Sequence, residues 1–153
     1  MSRPRGRRPG RRHGLPGLVV AGTLCATVPA TAATVQVVID GIEPGGGPVR
    51  VALCQGSLAE AACARGDEAS ASADRLQFTF QGVPTGTYAV AAYQDANSNG
   101  RLDRTGLGLP LEPYGFSGVA GRRARPDFAE AAFSLREPGG SIRVRLARAL
   151  PRR

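Results

Sequence analysis

The amino-acid sequence contains no tryptophan, no lysine and a single histidine, His13. Because all twenty Lys/Arg positions are arginine, Schiff-base chemistry and a lysine isopeptide crosslink are excluded. His13 lies near the N-terminus, in a segment that we expect to be removed. A Ser-His-Asp or Cys-His mechanism is therefore not expected in the mature chain. The lack of tryptophan also weakens the case for a sugar-stacking surface.

Acidic residues are absent before Asp40, whereas six arginines lie within the first twelve residues. The formal net charge of +8 and the pI near 10.9 therefore reflect the N-terminus. From Thr34 onward, fourteen arginines are balanced by twelve acidic residues. This nearly neutral balance does not predict a nucleic-acid partner.

Residues 1–33 have the pattern of a secretory signal peptide. The basic stretch ends near His13, an apolar stretch covers residues 15–28, and Ala30 and Ala32 have the spacing of a cleavage site. We predict cleavage after Ala32 or Ala33 and a periplasmic or secreted bacterial protein. The apolar stretch is shorter than the roughly 20 residues of a membrane span, so no transmembrane segment is expected in the mature chain. The alternative is a basic arm that binds nucleic acid.

Two cysteines, Cys54 and Cys63, remain after the predicted cleavage. In an oxidising compartment such a pair predicts a disulfide, worth about 2–3 kcal/mol for a loop of this length. The alternative is two reduced thiols. Their spacing is not that of a zinc site, and no histidine remains to complete one.

Several short segments alternate apolar and polar residues, which is the period of a strand with one buried face. Their apolar positions are Val35, Val37 and Ile39; Val49, Val51 and Leu53; Leu76, Phe78 and Phe80; and Ile142, Val144 and Leu146. Residues 88–93 are apolar on both faces, which predicts a central strand, and residues 133–135 predict a short one. Residues 54–74 are polar and rich in alanine, which predicts a short helix or loop.

Short strands with turns rich in Gly and Pro predict an all-β fold. We expect an antiparallel β-sandwich of about seven strands, formed by a single domain over residues 34–150. Residues 151–153 are expected to be a frayed tail. Residues 104–117 predict one long irregular loop, in which Tyr114 and Phe116 pin the chain to the sandwich.

The segment that follows the central strand has the pattern of a calcium loop. Oxygen-bearing side chains recur at alternate positions, a glycine follows, and calcium prefers six to eight such oxygens. The predicted ligands are Asp95, Asn97, Asn99, the carbonyl of Arg101, Asp103 and, by folding back, Glu112. The loop is not an EF-hand, because Gly106 stands at position 12. We expect weak affinity, about 10⁻⁴–10⁻³ M. The alternative is a turn whose Asn and Asp side chains bond to their own backbone.

Residues 80–88 resemble the Leu-Pro-x-Gly-x-Tyr hairpin of transthyretin-like and carboxypeptidase-regulatory-like sandwiches. A longer resemblance joins the calcium-like loop to three later motifs, Gly108-x-Pro110-x-Glu112-x-Tyr114-Gly115-Phe116-Ser117, Pro126-x-Phe128 and Ala132-Phe133. This order resembles the bacterial domain-of-unknown-function 2141 family of small exported β proteins. Members often have His where this chain has Gln94, so no metal or catalytic role is expected there. The resemblance implies an exported β-sandwich of unassigned function.

Together these features predict a non-enzymatic, exported module that binds an unknown partner of the envelope or extracellular space, with a calcium-ordered loop. One alternative is a hydrolase that uses Asp95, Asp103 or Glu112 as acid and base. The other is a carbohydrate-binding module that uses an exposed row formed by Tyr93, Tyr114 and Phe116.

Overall fold

The segments with alternating apolar residues form strands in the structure, a computed structural model that describes residues 32–120 and 126–150. Eight strands account for most of the secondary structure: β1 (Ala32–Asp40), β2 (Val49–Cys54), β3 (Arg65–Ala69), β4 (Arg75–Pro84), β5 (Gly86–Gln94), β6 (Tyr114–Phe116), β7 (Phe133–Leu135) and β8 (Gly139–Arg145). Short helical turns occur at Glu60–Ala62 and Gly118–Ala120, which are 3-10 helices, and at α1 (Phe128–Ala131). The predicted all-β class is confirmed.

The strands form two sheets. One has the order β4-β1-β8, and the other has the order β3-β2-β5-β6. One edge of β5 pairs with β2. Along its other edge, β5 pairs with β7 near its start and with β6 near its end. The prediction of a wholly antiparallel sandwich is wrong in one place, since β1 and β8 run parallel. Parallel neighbours need a long connection, and nearly the whole chain separates these two strands.

Three local predictions differ from the structure. Within residues 54–74, predicted to be helix or loop, β3 pairs with β2 from Val49↔Ala69 to Leu53↔Arg65. This edge strand is polar and exposed, so it lacks the apolar alternation that marks a strand. The predicted irregular loop contains β6, which is only three residues long. The predicted hairpin at residues 80–88 is a corner instead, because β4 and β5 belong to different sheets.

The main core lies between the sheets. It contains the predicted alternating residues of β1, β2, β4 and β8, including Val35, Val37, Ile39, Val51 and Val144. A second, smaller cluster joins Ala89 of β5 to Ala120 and Ala131, with Leu58, Phe116 and Phe128 packed against it. Ala89 lies between Tyr88 and Val90 of the main core, so it points to the outer face of the sheet. The second cluster therefore covers one end of that outer face.

Both edges of the sandwich are joined. At one edge Tyr114 forms a bridge to Ala147, with N–O distances of 3.1 and 3.0 Å between their backbones. At the other edge, the Arg65 guanidinium donates to the carbonyls of Gln81 and Gly82, at 3.0 Å each. The side chain of Arg65 thus connects β3 with β4 where no backbone ladder does.

The first strand begins at Ala32, and Ala33 is buried and paired with Val83. Most of the predicted signal peptide (residues 1–31) and the predicted tail (residues 151–153) lie outside the described residues. In the part of the chain that is described, no helix is both long enough and apolar enough to span a membrane. Cys54 and Cys63 are joined by a disulfide, as predicted.

Candidate functional site

The polar loop, residues 95–103, begins where β5 ends. The backbone N–H of Asp95 donates to the carbonyl of Pro48 at 2.8 Å, so the first loop residue is fixed beside β2. The backbones are very close here, because a Cβ on Gly47 would lie 2.0 Å from the carbonyl oxygen of Asp95. Gly47 also has a φ of +88°, so both space and conformation require glycine.

The carboxylate of Asp95 is completely buried and organises the loop from inside. Its Oδ1 accepts from the backbone N–H of Asn99 at 3.0 Å, and its Oδ2 accepts from that of Gly100 at 2.7 Å. Oδ2 also accepts from Nε of Arg50 at 3.2 Å. A buried carboxylate is stable only when such partners compensate its desolvation. Asp95 therefore fixes the turn of the polar loop through backbone amides.

Glu112 lies against the same loop, although it is nine residues beyond Asp103. Its side chain is only 4% exposed. One carboxylate oxygen accepts from the N–H of Ala96 at 2.7 Å, and the other accepts from the N–H of Asp103 at 3.1 Å. Glu112 folds back onto the loop, and in this geometry it connects the two ends of the loop.

The exposed half of the polar loop is held by side chains. The amide groups of Asn97 and Asn99 donate to Oδ2 of Asp103, at 2.7 and 2.9 Å. Arg101 approaches the other oxygen of Asp103 at 3.3 Å. The hydrogen bond from Asn97, supported by those from Asn99 and Arg101, holds the pKa of Asp103 below its usual value despite some desolvation. Asp103 is therefore the anionic centre on which the loop side chains converge.

The loop brings together four of the predicted calcium-ligand side chains, Asp95, Asn97, Asn99 and Asp103, with Glu112 beside them. Within residues 32–120 and 126–150, no three Asp, Glu, His or Cys side chains form a group that could hold a metal. Amide oxygens of Asn97 and Asn99, or backbone carbonyls such as the predicted one of Arg101, would therefore have to complete any cation site. Both asparagines accept from backbone N–H groups in the loop, as the alternative of a self-bonded turn predicts.

Gln94 is buried and clamps the neighbouring turn. Its side chain accepts from the N–H of Glu43 at 3.0 Å and donates to the carbonyl of Glu43 at 2.7 Å. A longer contact of 3.3 Å reaches the carbonyl of Gly47. An amide satisfies both backbone groups of Glu43 at once, which is a structural role.

A groove of about 750 Å³ crosses the outer face of the five-stranded sheet. Its floor follows from the register, which aligns Gly66, Ala52 and Ala91 in one cross-strand row. Glu68, Arg50 and Tyr93 form the next row. Because these three positions carry no side chain larger than a methyl group, they leave a trough beside the larger second row, and Phe116 of β6 continues the first row beyond Ala91. Sequence analysis missed this site, since the small residues become neighbours only through strand register.

Two walls border the groove. We call residues 100–104 the loop wall. It contributes Arg101, Leu102 and Arg104 to the groove, and its first four residues are the last four of the polar loop. We call residues 58–63 the disulfide wall; it contributes Leu58, Glu60 and Cys63. Cys63 is bonded to the buried Cys54 of β2, and Leu58 packs on the second cluster. Burial raises the pKa of Tyr93 between the walls, so its phenol is neutral near pH 7.

The aromatic row proposed for carbohydrate binding is not present as an exposed surface. Tyr114 is 2% exposed and packs edge-on against Phe116, with ring centroids 6.1 Å apart. Phe116 packs against the second cluster, and only Tyr93 lines the groove. Ser117 is also buried, and its hydroxyl donates to the carbonyl of Ala131 at 2.6 Å. Tyr114, Phe116 and Ser117 therefore stabilise the fold.

The two sheets, the disulfide and the side-chain-held loop define a small β-sandwich module. The chain belongs to a family described as uncharacterized proteins conserved in bacteria, DUF2141, whose model matches residues 37–143. This match confirms the family that the order of motifs predicted. No curated protein matches the chain, and no solved structure matches it.

Proposed function

We propose that this protein is exported to the periplasm or beyond and acts there as a non-enzymatic binding module, with the groove as its ligand site. The observation that carries this proposal is the groove itself. Its volume lies within the usual range of ligand sites, roughly 300–1,000 Å³. Its floor lies on three paired strands, and its walls are fixed by a disulfide and by a hydrogen-bonded loop. A preformed site of this kind needs little ordering when a ligand binds.

Engaged carboxylates support a binding role over hydrolysis. Both oxygens of Asp95 and both oxygens of Glu112 accept hydrogen bonds from the backbone N–H groups that hold the loop. A general acid or base has to exchange a proton with substrate, and these groups would lose their structural partners by doing so. Asp103 is similarly occupied by Asn97, Asn99 and Arg101.

A crosslinking experiment in the producing bacterium tests the binding role. A photo-crosslinking amino acid is placed at position 91 in the groove or, as the matched control, at position 79 on β4. We expect one discrete, saturable adduct from position 91 and none from position 79. Equal labelling at both positions, or no adduct from position 91, would contradict the groove as the ligand site.

Export is tested by fractionating cells that express the full chain. We propose that the signal is cleaved after Ala32, because this retains Ala33, which is 2% exposed and paired with Val83. N-terminal sequencing of the periplasmic or secreted form should then begin at Ala33. Recovery of uncleaved protein in the cytoplasm, with reduced cysteines, would contradict export.

A calcium-ordered loop is a second candidate function. It is favoured by the convergence of Asn97 and Asn99 on Asp103, with Asp95 at the base of the same loop. If the amide oxygens turned inward, Asp103 and both asparagines could face one cation. Calcium at ten times its dissociation constant should then stabilise the protein by about 1.4 kcal/mol.

The measurement is a melting curve of the mature protein in EDTA and in millimolar calcium, with magnesium as the ionic control. The stabilisation should disappear in Asp103→Ala and persist in Asp67→Ala, an exposed carboxylate outside the loop. No shift in the natural protein, or the same shift in Asp103→Ala, would eliminate the calcium proposal.

A further inference from the structure

The groove has rims of opposite charge. The acidic rim consists of Glu60 and Glu68, and the basic rim consists of Arg101 and Arg104. The side chains of Arg101 and Glu68 are 78% and 56% exposed, so both charges reach solvent, although each already has an ion-pair partner, Asp103 at 3.3 Å and Arg50 at 2.9 Å. The acidic rim follows β3 and the disulfide wall, whereas the basic rim belongs to the loop wall. The electrostatic potential should therefore change sign from one side of the groove to the other.

The space between the rims is largely uncharged. Ala52 and Ala91 form the floor, and the apolar side chains of Leu58 and Leu102 line opposite walls. Arg50 is the exception, but its guanidinium is already shared between Glu68 at 2.9 Å and Asp95 at 3.2 Å. A ligand in the middle of the groove therefore meets small apolar groups and the neutral ring of Tyr93.

These features together select a ligand with opposite charges at its two ends. A polyanion would be repelled by the acidic rim, and a polycation by the basic rim, whereas a wholly apolar ligand would remove water from both rims without compensation. A short peptide with free termini has the required charges, an ammonium group at one end and a carboxylate at the other. The groove crosses β3, β2 and β5, about 10 Å in all, which is the extended length of three residues.

We propose that the groove binds short linear peptides of about three residues with both termini free. The N-terminal ammonium group lies at the acidic rim, the carboxylate lies at the basic rim, and the central side chain lies against Ala91 and Tyr93. This inference rests on the proposed binding function and assigns the chemistry of its ligand.

The probe is the tripeptide Ala-Trp-Ala. Because the protein has no tryptophan, indole fluorescence reports on the peptide alone. We expect saturable binding to the mature protein. Acetylation of the N-terminus and amidation of the C-terminus should each weaken binding about fivefold, and the doubly blocked peptide should bind weakest.

Two charge variants test the orientation of the peptide. Arg101→Glu should weaken binding of the free peptide by more than fivefold but should barely affect the amidated peptide. Glu60→Lys should weaken binding of the peptide with a free N-terminus by more than fivefold but should barely affect the N-acetylated peptide. Arg143→Glu makes the same charge change as Arg101→Glu but lies on β8 in the other sheet, so it should leave binding unchanged. Ala91→Leu should abolish binding by filling the trough, whereas Thr79→Leu on β4 should not.

Equal affinity for free and doubly blocked peptides would overturn the inference, and so would the absence of any binding. A position-91 adduct whose mass identifies a second copy of this chain would also overturn it, because the occupant would then be a dimer partner. In the first two outcomes the crosslinking experiment tests the groove independently of the peptide assignment. A discrete adduct from position 91 alone preserves the binding function while the peptide assignment fails.

Discussion

The two walls of the groove stand on the same sheet, but different bonds hold them. The disulfide wall is attached to β2 by a covalent bond between Cys63 and the buried Cys54. The loop wall is attached by carboxylates, of which Asp95 and Glu112 each accept from backbone N–H groups of the polar loop. The first wall should therefore respond to reduction, and the second to loss of a buried carboxylate.

The difference also concerns which state of the chain each bond affects. A disulfide stabilises mainly by restricting the unfolded chain, so its removal leaves few unsatisfied groups behind. Removing a buried carboxylate acts on the folded state, because its donors remain buried without a partner. Arg50 contacts Asp95 beneath the loop wall and Glu68 of β3, the edge strand that follows the disulfide wall in the chain.

The largest effect is expected for Asp95→Ala. It leaves the N–H groups of Asn99 and Gly100 without their acceptor and leaves Arg50 without its buried partner. We expect a loss of about 3 kcal/mol in the free energy of unfolding, measured with urea. The control is Asp67→Ala, an exposed carboxylate that should change stability by less than about 0.5 kcal/mol. A loss below about 1 kcal/mol in Asp95→Ala would mean that the carboxylate does not support the loop wall.

Removal of the disulfide should have the next largest effect. The double variant Cys54→Ser, Cys63→Ser should lose about 2–3 kcal/mol, because the bond spans a sequence separation of nine residues. Reduction of the natural protein should give the same loss. Combination with Asp95→Ala tests the independence of the walls: additive losses indicate two separate supports, whereas a deviation above about 0.5 kcal/mol shows coupling through Arg50.

Gln94→Ala should be somewhat milder, with a loss of about 2 kcal/mol in the free energy of unfolding. It removes the acceptor of the Glu43 N–H and one of the donors to the Glu43 carbonyl, which keeps its hydrogen bond from the N–H of Gly46 at 2.9 Å. Gln94→His should lose less, because an imidazole still offers one donor and one acceptor. If the alanine variant were as stable as the natural protein, water would be able to replace the clamp, and the turn would not support the loop wall.

The smallest of the expected effects is a loss of stability in acid, which should depend on the loop wall and not on the disulfide wall. The pKa of Asp103 lies below its usual 3.8 because Asn97, Asn99 and Arg101 favour the carboxylate. Unfolding raises that pKa, so the stability is fully present above about pH 4 and is lost as pH falls through the folded value. In Asp103→Asn the free energy of unfolding should fall less steeply as the pH is lowered below about 4.

A hydrogen bond from Arg75 also lowers the pKa of Asp40, so Asp40 contributes to the pH dependence as well. Asp40 is present in both the natural protein and Asp103→Asn. The difference between the two slopes therefore reports on Asp103. The disulfide-free variant should keep the slope of the natural protein. Identical slopes for Asp103→Asn and the natural protein would show that the charge of Asp103 does not hold the loop.

Sequence patterns predicted the fold where burial follows a simple period. The alternation in β1, β2, β4 and β8 corresponds to residues of the main core, because one face of each strand is buried. The same rule could not find β3, whose residues are mostly exposed and whose strand conformation depends on pairing with β2. It also gave no sign of the parallel β1–β8 pair, because strand direction depends on how distant segments pack.

The candidate site also has a part that the sequence predicted and a part that it did not. The polar loop was predictable because its Asn, Asp and Gly residues act on neighbours a few positions away, and such local bonds leave a sequence pattern. The return of Glu112 to the loop was expected from the need for another carboxylate, but the backbone N–H groups that it contacts were not. The groove was not predictable, because Gly66, Ala52 and Ala91 are separated in sequence and look like ordinary small residues.

By itself, then, the sequence determined the β class, the family, the cysteine pair and the composition of the polar loop. These features depend on local period, local turns or pairs of reactive side chains. Tertiary structure alone decided which outward faces became a groove, which carboxylates were buried and which charges formed its rims. The reason is physical: register aligns distant residues, and burial then makes the same carboxylate either a solvated charge or an internal support. Asp95 and Asp67 are both aspartates, yet Asp95 is buried beneath the loop wall, whereas Asp67 is exposed on the edge strand β3.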